Sequence, residues 1–375
     1  MKLEGKGIDK EILDTKNTLT NFSNSILKHY GVSHFHSTIK EVDVALKGHK
    51  KVAVFLFDGA SEYNLSLYPK TNRFLLSHKL KTIHSVNPAT TVACTTAFLS
   101  ARFPIETGWL GWSLNFPSFG PVDAFSGKSS YGDKGVNDPL IMKRSAPYTN
   151  IIELLQKAGV NAKASYEYPV ENLNGPRNYK AAIKQYSSFF SHGGEFLYGY
   201  FKNPDKTIHE YGTKSFHTWW QFRKIASFLK RFTKKNPDVL VFSFADHGLI
   251  DVITKDLSDY PDIESTLSYP ISLDARIPTF FVKKGEESAF ETAFQKHLGD
   301  DFLLVEKDDI IKMKFFGEGD PAKISLDFIG DYVGISKTNT VLKEYFGNKD
   351  KHPLIGHHSG ASKEEREILL GVYNL

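Results

Sequence analysis

Val52-Ala-Val-Phe-Leu-Phe57 is an unbroken apolar run that ends on Asp58-Gly59. A run apolar on both faces is what a strand covered on both sides requires, and such strands belong to parallel sheets. Asp238-Val-Leu-Val-Phe-Ser-Phe244 repeats the pattern and leads into Asp246-His247-Gly248. Glu195 to Phe201 reads as another strand and leads to Asn203-Pro-Asp205, with His209 close behind. Helical segments are predicted at Thr91 to Ala101, Asn150 to Ala158 and Lys214 to Thr233, and one more strand at Ala162 to Tyr166. Strands alternating with helices predict an α/β fold, a doubly wound and mainly parallel sheet flanked by helices.

Outside that frame the sequence is ordinary. Its 375 residues are 24% charged and 41% hydrophobic, with a formal net charge of +4, which is a globular composition. Runs such as His49-Lys-Lys51 read as solvated turns, and no block of five or more Lys/Arg marks a nucleic-acid footprint. Cys94 is the only cysteine, which excludes an intrachain disulfide and a cysteine-based zinc site. Met1 to Tyr30 is polar, without the apolar core of a signal peptide, and no run is long enough to span a membrane. The expectation is a cytoplasmic protein with no membrane or nucleic-acid polymer as partner.

Asp14 to Tyr30 is amphipathic and is expected on the outside of the core. Phe116 to Tyr148, rich in Gly, Ser and Pro, reads as a long surface loop. The texture changes at Ile277 to Phe316: strand Pro278 to Val282, helix Glu286 to Leu298, strand Phe302 to Glu306. Residues 270–340 are therefore expected to form an inserted α/β subdomain near the active site. Residues 1–269 and 341–375, with the returning tail Leu354 to Leu375, form the catalytic core.

Asp58, Asp205 with His209, and Asp246-His247 all follow the carboxyl ends of predicted strands, where open α/β sheets place their ligand sites. Each motif alone reads as a turn; three at one level argue for a shared metal site. Asp205 and His209 are four residues apart, on one face of a helical turn. His357-His358 stands in a loop before a helix start, where Ser362 and Glu365 have the spacing of a capping box. Carboxylates with imidazoles and no thiolates suit zinc in an open catalytic site, or manganese. Thr91 stands at a predicted helix start, where the dipole and free N–H groups favour an alkoxide and a phosphate. Thr90 or Thr91 would equally serve as a plain N-cap.

Pro88-Ala-Thr-Thr91, Thr96-Ala-Phe-Leu-Ser-Ala-Arg-Phe-Pro104 and Thr107-Gly108 together resemble the nucleotide pyrophosphatase/phosphodiesterase branch of the alkaline phosphatase superfamily. Asn203-Pro-Asp205 with His209 and Gly212, Phe244-Ala-Asp-His-Gly248, and His358-Ser-Gly-Ala-Ser with Glu364-Glu365 resemble its later motifs, the last as in bacterial relatives. The resemblance runs in order from Val52 to the C-terminus. It implies Thr91 as nucleophile and two divalent metals, zinc or manganese. One would be held by Asp205, His209 and His358, with His357 as fallback. The other would be held by Asp58, Asp246, His247 and the Thr91 hydroxyl. Two cations about 4 Å apart can clamp the attacking and leaving oxygens of an in-line displacement. The implied substrate is a small-molecule phosphate ester, cleaved at a phosphodiester or pyrophosphate bond through a phospho-threonine.

The chain departs from the family pattern near the phosphate. Many diesterases of this branch carry an Asn twenty-one residues past the nucleophile, where this chain has Trp112; Asn115 lies three residues on. Trp112 and Asn115 are the candidate substrate contacts. The residue after the nucleophile is often aromatic and here is Val92. A phosphomonoesterase, or a hydrolase of phosphonate or phospholipid-type esters, would share every metal ligand. A sulfatase would need Cys-x-Pro-x-Arg, and Cys94 is followed by Thr-Thr-Ala-Phe. A metal-stabilised binding protein without turnover is the reading from another class.

Overall fold

The computed structural model describes residues 10–131, 135–166, 175–344 and 354–375. Val52–Phe57 is a strand buried at every residue, paired in parallel with Phe196–Phe201 on one side and Leu240–Phe244 on the other. The six strands of this central sheet run in the order Lys79–His84, Glu367–Tyr373, Leu240–Phe244, Val52–Phe57, Phe196–Phe201, Ala162–Tyr166. Glu367–Tyr373 is antiparallel to both neighbours. The result is the mainly parallel, helix-flanked α/β sheet that the apolar runs predict.

The alternation of side chains along Val52–Phe57 separates two helical layers. Phe55 packs against Tyr186, Phe228 and Phe232, from the helices Tyr179–Ser191 and Phe216–Lys235. On the opposite face Phe98, from the helix Thr91–Ser100, packs against Tyr198, Phe244 and Phe22. Truncating a buried ring such as Phe55 to alanine costs about 3–5 kcal/mol.

The helix Leu19–His29 is not on the outside as its polar sequence suggests. Leu19 through Leu27 are all buried. Two of its polar side chains bond to distant backbone: Ser23 Oγ donates to the Phe98 carbonyl, and Asn24 Nδ2 donates to the Ala101 carbonyl at 2.9 Å.

A second, antiparallel six-stranded sheet runs Phe302–Glu306, Tyr332–Ser336, Ile277–Phe280, Ser272–Asp274, Ser113–Phe116, Gly120–Asp123. It draws on residues 270–340 and also on the stretch expected to be loop. Within Phe116 to Tyr148 the structure has the strand Gly120–Asp123 and the helix Ile141–Ser145; residues 132–134 lie outside the described residues. Pro121 masked the strand in the sequence, yet Gly120–Asp123 is an edge strand, where proline is tolerated. Phe280, Phe290, Phe294 and Leu298 build a hydrophobic cluster of their own beside this sheet. Among the described residues, no helix is long and apolar enough to cross a membrane.

Candidate active site

The site lies at the carboxyl ends of the parallel strands. Asp58 follows Val52–Phe57, and its amide donates to the Phe201 carbonyl at 2.9 Å. The Asp205 amide donates to the Asp58 carbonyl at 2.9 Å, so two strand ends are stitched together at the carboxylates. Gly59 makes this possible. Its φ is +75°, and a Cβ there would meet the Asp205 Cα at 2.9 Å. Asp246 follows Leu240–Phe244, and its Oδ1 accepts from the Gly59 and His247 amides at 3.2 and 3.0 Å.

Thr91 is the first residue of Thr91–Ser100, and Thr90 stands at the N-cap without a side-chain capping bond. The Thr91 hydroxyl instead points into the site. Its Oγ1 is 3.4 Å from Asp58 Oδ2, to which it donates, and 3.1 Å from His247 Nε2.

Three imidazoles are held in the same way. His247 Nδ1 bonds to the Gly248 carbonyl at 3.2 Å, His209 Nδ1 to the Gly356 carbonyl at 2.8 Å, and His358 Nδ1 to the Ala89 carbonyl at 3.2 Å. A carbonyl oxygen only accepts, so each Nδ1 carries a proton, and whenever the ring is neutral its Nε2 has a free lone pair. Those Nε2 atoms face the carboxylates. His247 Nε2 is 3.5 Å from Asp58 Oδ1 and 3.6 Å from Asp246 Oδ2. His209 and His358 Nε2 are 3.3 and 3.8 Å from Asp205 Oδ1. The His357 Nδ1 is turned to the backbone of His358 instead, 2.9 Å from its amide.

The ligand atoms of Asp58, Asp246 and His247 lie within 4.8 Å of one another, and so do those of Asp205, His247 and His358. His247 thus reaches both groups. Asp58 Oδ1, Asp205 Oδ1 and Asp246 Oδ2 are buried and accept no hydrogen bond from any described residue. Leaving a buried carboxylate oxygen without a partner is costly. Oxygen and imidazole donors that converge with open lone pairs, the imidazoles oriented by backbone carbonyls, fit divalent cations.

Charge crowding shows in the titration of these groups. Burial, with the nearby Asp246 and Asp205 charges, pushes the Asp58 carboxyl well up. Burial also raises Asp246, against the pull of His247. At Asp205 burial is outweighed by His209, and the carboxyl moves down. Burial, with His247 and His209 adding repulsion, drives His358 well below the usual imidazole range.

Two cavities flank the centre, and Thr91 is in the wall of both. The first, about 620 Å³, is lined by Trp112, Asp123, Tyr131, Asp274 and Glu344 beside Asp205, His209 and His358. The second, about 520 Å³, is lined by Trp109, Phe125, Tyr148, Tyr166, Tyr198 and Tyr200. The stretch Phe116 to Tyr148 contributes to both walls, and residues 271–275 to the first. Asn115 contributes to neither cavity and is buried in Ser113–Phe116, while Trp112 packs edge-on against Phe125 at 5.9 Å. Val92 is fully buried in the core.

Some site residues carry no motif. The Tyr200 hydroxyl donates to Asp58 Oδ2. Its one signal is a tyrosine inside an apolar strand, whose hydroxyl needs a partner when buried. Asp274 lies next to Thr90 and Ser359, and burial raises its carboxyl. The capping box expected at Ser362 and Glu365 does not form. Ser362 makes no capping bond, and the Glu365 carboxylate is bound to Arg276 and to the Gly360 amide instead of the Ser362 amide.

The profile of the type I phosphodiesterase / nucleotide pyrophosphatase family matches residues 52–361. Murine ectonucleotide pyrophosphatase/phosphodiesterase 5 shares the fold, with a TM-score of 0.61 and 15% identity over 86% of this chain and 88% of that one. The human protein of the same name gives 0.61 and 15% over 86% and 87%. An inactive threonine-to-alanine variant of the murine protein, solved in complex with AMP, gives 0.60 and 15% over 87% and 88%. No curated protein matches the chain. The chain belongs to the type I phosphodiesterase / nucleotide pyrophosphatase family and is a hydrolase that acts on phosphoric ester bonds.

Proposed function

We propose that the chain cleaves phosphodiester or pyrophosphate bonds through a phospho-threonine on Thr91. The observation that carries this is the position of the Thr91 hydroxyl, which donates to Asp58 and stands 3.1 Å from His247 Nε2 at the start of a helix, open to a cavity on either side. A phosphorus with one substituent needs one cavity. Two cavities that share only Thr91 suit a phosphorus with two, which favours a diester over a monoester. The inactive threonine-to-alanine relative bound to AMP supports the same choice of residue and a nucleotide-like ester.

Two divalent cations fit the donors. Asp205, His209 and His358 would hold one, and Asp58, Asp246, His247 and the Thr91 hydroxyl the other; the donor set suits zinc, with manganese as the second choice. When bound, they supply Lewis-acid polarisation of the phosphoryl group and a lowered hydroxyl pKa. The chain's own groups do the rest. The free N–H groups of the first turn of Thr91–Ser100 are available to phosphoryl oxygens bound beside Thr91. Thr91 Oγ forms the new P–O bond as the bond to the departing oxygen breaks, and the proton lost from the Thr91 hydroxyl leaves with that oxygen, as an alcohol from a diester or as a phosphate from a pyrophosphate. Water then attacks the phospho-threonine, releasing the phosphate monoester and returning the proton to Thr91. Tyr200 holds Asp58 in place through both steps.

Bis-p-nitrophenyl phosphate and p-nitrophenyl phosphate separate the two ester classes. The expectation is preference for the diester and, in Thr91→Ala, an intact fold with turnover reduced at least about a thousandfold. Wild-type turnover by Thr91→Ala would exclude Thr91 as nucleophile. Preference for the monoester would favour the phosphomonoesterase reading.

A further inference from the structure

The three helices that cover one face of the central sheet carry charge of a single sign. Pro69–Ser77, Tyr179–Ser191 and Phe216–Lys235 contain ten Lys/Arg and no Asp or Glu. The whole chain has 47 basic and 43 acidic residues, so the remainder holds 37 against 43 and is net acidic. Nine of the ten are exposed and Lys224 is half-buried. Among the described residues none of the ten is in an ion pair with a carboxylate. The nearest acid along the chain, Asp238, is held by Lys51 at 2.7 Å.

The cations are gathered by packing. Lys70 from the first helix and Arg223, Lys230 and Arg231 from the third line one groove. Lys180 from the second helix and Arg223, Lys224 and Arg231 line another. Arg223, Ser227 and Arg231 form the ridge between them, at the i, i+4, i+8 spacing of one helical stripe. The stripe begins with Phe216 and Trp220, 70% and 43% exposed. The opposite side of that helix, with Phe222, Ile225, Phe228 and Phe232, is buried on the sheet. Twenty residues at 1.5 Å each present about 30 Å of this surface.

We propose that this face docks the enzyme on an anionic lipid surface. An interfacial helix combines a basic polar stripe with aromatic residues that enter the headgroup layer, and each Lys/Arg adds attraction to anionic lipid. A track for single-stranded nucleic acid alternates aromatics with cations along its length. Here the exposed aromatics stand at one end only: Phe216 and Trp220 share the first two turns, Arg223 and Lys224 lie 5.8 and 5.9 Å from the Trp220 ring, and the cations beyond them have no further large exposed apolar side chain on the three helices. The face is built on the helix that follows Asp205–Tyr211, to which it is tied by Gln221 Nε2 donating to Thr207 Oγ1 at 3.1 Å. The aromatic end is therefore the end beside the active site. The proposal does not depend on which ester is cleaved.

The test is co-sedimentation of the full chain with vesicles of phosphatidylcholine alone or mixed with phosphatidylglycerol. Binding is expected only to the mixed vesicles. Arg223→Glu/Lys230→Glu/Arg231→Glu should lower the bound fraction at least about tenfold, since each charge contributes separately. Trp220→Ala should give a smaller loss. Turnover of a soluble p-nitrophenyl ester should stay unchanged in both, which also reports an intact fold. If the triple variant lost that turnover, Arg223→Gln/Arg231→Gln would take its place. Equal binding to both vesicle types, wild-type binding by the charge variants, or tighter binding to a single-stranded oligonucleotide than to mixed vesicles would each overturn the proposal.

Discussion

Arg276 and Glu365 form a two-pronged ion pair in the interior, with Nε to Oε1 at 2.7 Å and Nη2 to Oε2 at 3.0 Å. Two of the three remaining guanidinium hydrogens go to the Thr340 and Thr338 carbonyls, and Glu365 Oε1 also accepts from the Gly360 amide. The pair joins the second sheet to the loop that carries His358. The Arg276 amide also donates to Ser359 Oγ at 3.3 Å, and Ser359 is held at a φ of +85°. Replacing Arg276 by methionine leaves Glu365 charged in the interior, and such losses run to about 3–5 kcal/mol. A urea midpoint should fall accordingly, and metal affinity should fall with it as His358 loosens. Arg276→Met/Glu365→Leu should recover part of the stability. A single variant that lost less than about 1 kcal/mol would show that the pair is dispensable.

Glu344 sits in the wall of the first cavity, and its carboxyl is pushed up to about 7. Burial is the main cause; the Glu264 and Asp256 charges add to it, and the Ile271 amide opposes it. The folded protein therefore binds this proton more tightly than the unfolded chain, whose Glu titrates near 4.5. The contribution is complete below the unfolded value and is lost as pH rises through about 7. Wild-type stability should decline across that window, and Glu344→Gln should flatten the decline. Parallel slopes for the two proteins would show that another group sets it.

The Tyr198 hydroxyl is buried beside the second cavity and has no hydrogen-bond partner among the described residues. A buried, unmatched hydroxyl costs about 1–3 kcal/mol. Tyr198→Phe should thus raise the melting temperature. If the hydroxyl is kept for the substrate, the same change should raise KM for a diester more than it lowers kcat. A less stable variant would mean that the hydroxyl is satisfied within the fold.

The sheet was legible because its strands are apolar on both faces, as Val52–Phe57 shows at every position. The candidate site could be traced because Asp58, Asp205 and Asp246 each follow such a strand. What escaped was held by tertiary contact. Ser23 and Asn24 look solvated in sequence, but their partners are carbonyls more than seventy residues away. Glu365 has the spacing of a capping residue, yet a buried arginine outcompetes a local amide. The basic face is invisible in a linear scan, since Lys70, Lys180 and Arg223 meet only when three helices pack.

The carboxylates of Asp58, Asp205 and Asp246 make a final prediction about metal and stability. Three acids with buried, open oxygens repel one another, as the raised Asp58 carboxyl shows, with burial as its main cause and Asp246 and Asp205 adding to it. A divalent cation that binds only the folded chain stabilises it by mass action, about 2.7 kcal/mol at a free concentration a hundred times Kd. Chelation should therefore lower the melting temperature of the wild type, and zinc or manganese should restore it. Asp246→Asn removes one repelling charge and one donor together. Its metal-free form should be as stable as the metal-free wild type or more so, while the gain on adding zinc shrinks. A wild-type melting temperature that ignored both chelator and zinc would leave the open oxygens without their cation, and the two-metal reading would fall.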